Sequence, residues 1–153
     1  MTVTRLYHIA DVLKLWPFFK EGILYEAKYL RYDHPIDVYR RILFTLVRDH
    51  MHGWVAIATD DSSGDPLAFV LAHDVTPIHS DRREFEVSMF YYRHGNKPAI
   101  RQIQDRLDAH CRENGIHRYY LTTSSFCSTA ERVFKDSWRG LERSNTVFKR
   151  KVF

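Results

Sequence analysis

One segment constrains the fold more than any other: "EFEVSMFYYRHGNKPAIRQIQDRLDAHCRENGIHRYYLTTS", residues 84–124. Its start is rich in aromatic and β-branched residues and reads as a strand. Apolar residues fall on both alternations, with Phe85, Val87, Met89 and Tyr91 set against Phe90 and Tyr92. A strand covered on both faces is central in its sheet. Ile100, Ile103, Leu107 and Cys111 then recur at helical spacing and predict a helix over 98–115. Asn114-Gly115 ends it with a residue suited to a left-handed cap. A second strand begins at once in "IHRYYLTTS". Strand, helix, strand over this length is a βαβ unit, whose two strands run parallel.

The remaining elements are arranged around that unit. "TVTRLYHI" reads as a first strand. Val12, Leu15, Trp16, Phe19, Ile23 and Leu24 predict a helix from Ala10 to about Tyr29, with Pro17 arguing for a break or an offset start. Trp16, Phe19 and Leu24 are read as its core face. A second helix starts near Pro35, with Val38, Ile42, Leu46 and Val47 as its stripe. "GWVAIATD" and "LAFVLAHDV", joined by "DSSGDP", form a hairpin. "STAERVFKDSW" is a short helix with Ser128 or Thr129 as N-cap, and "NTVFKRKVF" is a closing strand. The order β-α-α-β-β-β-α-β-α-β gives an α+β, or mixed α/β, class around one central sheet.

Composition excludes several functions. At 153 residues one domain is expected. A net charge of +4 favours an anionic ligand but falls short of a dedicated nucleic-acid binder. The two cysteines, Cys111 and Cys127, form no CxxC, which suits a reduced, cytoplasmic protein. No window approaches the roughly 20 apolar residues of a membrane helix. Among nine histidines only His50 and His52 are close, without a third ligand at helpful spacing, so no metal is expected.

The element order, "MFYYRHGNKPAIRQIQDRLDAHCRENGIHRYYLTTSS" and "AERVFKDSW" together resemble the GCN5-related N-acetyltransferase (GNAT) superfamily. The likeness spans nearly the whole chain. It implies a single GNAT-like domain over residues 1–153, with a mixed sheet of about six to seven strands flanked by about four helices. In that family an Arg/Gln-x-x-Gly-x-Gly/Ala loop binds the pyrophosphate of acetyl-coenzyme A. The physical basis is the unpaired N–H groups and positive dipole end of a helix start, which glycine lets the ligand approach. One alignment places Arg93, Asn96 and Pro98 in those roles. A second places His94, Lys97 and Ala99 there. Gly95 falls at neither consensus glycine. Some phage-encoded members of the superfamily carry similarly loose loops, which the resemblance leaves open as an origin for this chain.

The resemblance implies acetyl transfer from acetyl-CoA to an amine acceptor by direct attack in a ternary complex. Cofactor-binding candidates are Met89, Phe90 and Tyr91, through their backbone, and Arg93, His94, Gly95, Asn96, Lys97 and Ala99. A carboxylate on the fourth strand serves many members as base, which points to Glu86 and Glu84. Glu86 lies among apolar residues, whereas Glu84 also reads as a solvated strand-end charge. The family's later Tyr-x-x-x-Gly-Phe has no tyrosine here: Val133 or Phe134 takes that slot, and Ser137 and Trp138 the Gly-Phe positions. Tyr119, Tyr120 and Cys127 are candidate substitutes, with packing roles as the simpler reading. Tyr25, Tyr29 and Tyr32 would line the acceptor side. Pairing of C-terminal strands is a habit of the family and would allow a homodimer, without the sequence deciding whether this chain forms one. The rival reading is a catalytically inactive GNAT-fold binding or structural protein, of the kind a phage could encode.

Overall fold

Parallel pairing of two strands across a helix organises the molecule. A computed structural model describes residues 1–30, 36–121 and 128–141. The elements are β1 (Thr2–Arg5), α1 (Ile9–Leu30), α2 (Ile36–Arg48), β2 (Gly53–Thr59), β3 (Pro66–Asp74), β4 (Arg83–Tyr92), α3 (Lys97–Glu113), β5 (Ile116–Leu121) and α4 (Ser128–Ser137). The strands lie in the order β1-β2-β3-β4-β5, and only β4–β5 is parallel. The mixed α+β class is therefore as expected. Five strands among the described residues are fewer than the expected six to seven. The expected strand "NTVFKRKVF", the 122–124 end of the fifth strand, Tyr32, Pro35 and Cys127 lie outside the described residues.

Alternation splits the core into two layers. Val55, Ile57, Phe69 and Leu71 face α1 and α2, whereas Trp54, Ala56, Ala58, Ala68, Val70 and Ala72 face α3. The four alanines let α3 lie close to the sheet. Ile100, Ile103 and Leu107 fill that contact with no exposed surface. Burial of each is worth about 1.5–3 kcal/mol.

Three expectations are corrected. α1 runs unbroken through Pro17. Pro17 is exposed, so the carbonyl that loses its N–H partner lies on the water side of the helix. Leu24 is 50% exposed and Phe18, not Leu24, joins Val12, Phe19 and Ile23 in the core. On α2 the buried stripe is Leu43, Leu46 and Val47, while Ile42 points outward. Packing against β2 and β3, rather than the best apolar register of the isolated helix, sets these phases.

β4 carries the irregularity that shapes the site. Leu71 pairs with Met89 but Ala72 pairs with Val87, so Ser88 is an extra residue, a β-bulge. The bulge shifts the alternation by one. Phe85 and Val87 face α3, but Met89 and Tyr91 turn to the α1–α2 layer. The single Phe85–Tyr91 face that unbroken alternation predicts is therefore two half-faces.

Candidate functional site

The β4–β5 ladder runs from Arg83↔Ile116 to Val87↔Leu121. β4 continues to Tyr92. Among the described residues nothing pairs with the β5-side edge of β4 beyond the bulge. That edge, from Met89 to Tyr92, leads straight into the loop before α3.

The loop is a four-residue turn. Asn96 N–H donates to the Arg93 carbonyl at 2.9 Å, and Gly95 sits third with φ +81. This conformation favours glycine, as in a type II turn. Ala99 N–H is satisfied by the Asn96 carbonyl at 2.9 Å, and Pro98 has no N–H. The amides of His94, Gly95 and Lys97 have no acceptor among the described residues. Asn96 caps α3 without a side-chain bond. Three available N–H groups at a helix start, where the dipole is positive, suit an anion such as a pyrophosphate. An open strand edge suits the amides of an extended arm.

The loop's cations are engaged. Arg93 donates from Nε and Nη2 to the two Glu21 oxygens at 3.1 and 2.9 Å, and from Nη1 to the Pro66 carbonyl at 3.0 Å. Its guanidinium also lies 4.9 Å from the Phe18 ring centre. This guanidinium holds the Glu21 carboxyl below its usual range. The Tyr91 hydroxyl donates to the same carboxylate at 2.8 Å. Burial, then that negative charge, pushes the phenol up. Lys97 pairs with Asp136 of α4 at 2.5 Å. His94 is exposed, Ala99 lies in the first turn of α3 on its buried, sheet-facing side, and Phe90 stacks edge-on to Trp138 at 5.5 Å.

The two strand carboxyls share the α1–α2 face but not an environment. Glu84 is 8% exposed. Its oxygens accept from Arg118 Nε at 2.8 Å and the Tyr120 hydroxyl at 2.9 Å. Both being occupied, Glu84 is built as a brace between β4 and β5. Glu86 is half-buried opposite His73, two residues before the bulge.

Tyr119 donates to Asp108 at 2.9 Å and accepts from Gln104 at 3.3 Å, so both β5 tyrosine hydroxyls are committed. Trp138 is 3% exposed and packs on Phe90 and Tyr119. Burial pushes the Cys111 thiol up to about 11, which fits a small core residue. His52 pairs with Asp49, and His50 with the Tyr7 carbonyl. Among the described residues no three His, Cys, Asp or Glu side chains are grouped to hold a metal. Likewise no helix is long and apolar enough to cross a membrane.

Two carboxyls of α1, the loop-anchoring Glu21 and the buried Glu26, are not legible in the sequence. Glu21 was hidden because its partner Arg93 is 72 residues away. Glu26, buried on α1, looks like any surface glutamate in the sequence, and nothing in its immediate neighbours signals otherwise.

No family model and no curated protein matches this sequence. Solved structures do. A probable acetyltransferase superposes over 100% of this chain and 97% of its own, with a TM-score of 0.74 and 16% identity. The ribosomal-protein-alanine N-acetyltransferase of Brucella melitensis biovar Abortus 2308 covers 94% and 96%, with a TM-score of 0.61 and 19% identity. A predicted acetyltransferase with acetyl-CoA from Clostridium acetobutylicum covers 94% and 91%, with a TM-score of 0.66 and 17% identity. At these identities the likeness is one of fold.

Proposed function

From the premise that this chain has the GNAT acetyltransferase fold, we propose that it transfers an acetyl group from acetyl-CoA to an amine, as one domain over residues 1–153. The observation that carries this reading is the coincidence of the Ser88 bulge with, among the described residues, an unpaired β4 edge beyond it and unclaimed amides in the next turn. When bound, acetyl-CoA supplies the activated thioester. The backbone of Met89, Phe90 and Tyr91 would hold its arm, and the amides of His94, Gly95 and Lys97 its pyrophosphate. Asn96 and Ala99 shape the turn and the helix start. Arg93 acts by tying the loop to α1, because its donors already serve Glu21 and Pro66. Lys97 adds positive charge beside the loop although it is shared with Asp136.

Glu86 is the base in this reading. It would take one proton of the acceptor's ammonium; the freed amine would form the N–C bond to the thioester carbonyl, the C–S bond would break, and coenzyme A would leave as a thiolate that takes the amine's remaining surplus proton. Holding both reactants on one sheet supplies most of the acceleration. Glu84 keeps β5 in register with β4 instead of exchanging protons.

The rival is a GNAT-fold binding protein without catalysis. It is favoured by the engaged loop cations and by the two β5 tyrosine hydroxyls, both committed elsewhere. Calorimetric titration with acetyl-CoA, paired with an assay for coenzyme A thiol release over a panel of amines, separates the two. Binding in the micromolar range, weakened about tenfold by Lys97→Glu, together with thiol release supports the enzyme. Absence of heat and of thermal shift at millimolar acetyl-CoA overturns it.

A further inference from the structure

Glu26 is a buried carboxyl that the reaction as described does not use. It leaves 9% of its surface to water. It stands one turn beyond Gly22 on α1, and residues four apart share a helix face. Gly22 is where α1 meets the sheet: a Cβ there would stand 2.6 Å from the Phe69 ring and 2.9 Å from Tyr91 Cβ. Glu26 therefore continues the sheet-facing side of α1, over the layer into which the bulge turns Met89 and Tyr91.

Among the described residues its surroundings are short of positive charge. The Tyr39 hydroxyl, from α2, donates one long bond of 3.4 Å to Oε2. Among the described residues no Arg, Lys or His pairs with it. Two cations of the neighbouring elements serve other groups: Arg93 serves Glu21, and Arg40 serves Asp37 and lies over the Trp16 ring. Burial pushes the carboxyl up to about 7. Glu84, the other buried carboxyl of this face, has Arg118. A carboxyl held from water without a cation is costly, and a cationic ligand would offset that cost. Beside it Tyr25, 44% exposed, packs on Tyr91 with ring centres 5.4 Å apart and offers an aromatic face to a cation.

We infer, resting on the acetyltransferase reading, that Glu26 is a second ammonium subsite, and that the acceptor is a diamine or polyamine. One ammonium is received by Glu26 from α1. The other is presented to Glu86 on β4, across the same face of the sheet. A monoamine would leave Glu26 without its counter-ion and bind more weakly.

The test is calorimetry of the full chain with 1,5-diaminopentane and with n-pentylamine, in the presence and absence of coenzyme A. The diamine is expected to bind at least about tenfold tighter than the monoamine. Glu26→Gln, which keeps the side chain's shape, is expected to remove that preference and leave acetyl-CoA affinity unchanged. Equal affinity for the two amines in the wild-type chain, or a preference that survives in Glu26→Gln, overturns the inference. Diamine preference without acetyl-CoA binding keeps the subsite and removes the acetyltransferase reading. Acetyl-CoA binding without diamine preference does the reverse.

Discussion

Glu21 and Arg93 form a two-point ion pair that joins the middle of α1 to the residue where β4 becomes the α3 loop. Both side chains are more than a third exposed, so the pair adds at most about 1 kcal/mol to stability. Its importance is positional, because the same guanidinium also fixes the Pro66 carbonyl. Glu21→Gln is expected to lower acetyl-CoA affinity several-fold with a loss in Tm of only a few degrees. Calorimetry and thermal melts on the same samples check this. Arg93→Lys should behave similarly, since a lysine cannot make the fork.

Gly95→Ala isolates the turn from its charges. A Cβ there meets nothing within 4 Å, but φ is +81. The strain of a left-handed alanine is about 1–2 kcal/mol. A Tm lower by a few degrees and weaker acetyl-CoA binding are expected, with no change in net charge.

Glu84 and Glu86 should separate by phenotype. Glu86→Gln is expected to lower kcat on the order of 10²-fold, with acetyl-CoA affinity retained. Glu84→Gln is expected to cost about 1–2 kcal/mol of stability, because Arg118 and Tyr120 lose a charged partner, and to change kcat only several-fold. Steady-state kinetics at fixed pH, paired with denaturant melts, would reveal the opposite pattern if Glu84 were the base.

Stability should carry a signature of Glu26. Its folded pKa, about 7, lies above the ordinary 4.5. The folded chain thus binds the proton more tightly than the unfolded chain does. This contribution is complete below about pH 4.5 and is lost as pH rises through 7, on the order of 3 kcal/mol in all. His110 works in the opposite sense, because burial lowers its pKa and protonation on acidification disfavours the fold. The difference between wild type and Glu26→Gln removes that background. Wild type minus variant stability should fall between about pH 4.5 and pH 7 and level off above that.

Core packing provides a check on the fold itself. Leu107 has no exposed surface and lies in the α3–sheet layer. Leu107→Ala is expected to cost about 2–5 kcal/mol, read from urea melts.

The sequence by itself determined the βαβ unit, the β2–β3 hairpin, the apolar face of α3 and the place of the loop. These are written in local periodicity and in Gly95, Pro98 and Gly115, whose backbone preferences act within a few residues. Three things were decided only by tertiary structure. The Ser88 bulge reverses the facing of Met89 and Tyr91, and it arises from register against β3, which no alternation pattern in β4 alone encodes. The engagement of Arg93 and Lys97 depends on Glu21 and Asp136, which fold onto the loop from other helices. The character of Glu26 comes from the desolvation that α1 and α2 impose together. Local preferences act through the chain, whereas register, ion pairing and burial act through space and exist only once the sheet and its two helical layers are assembled.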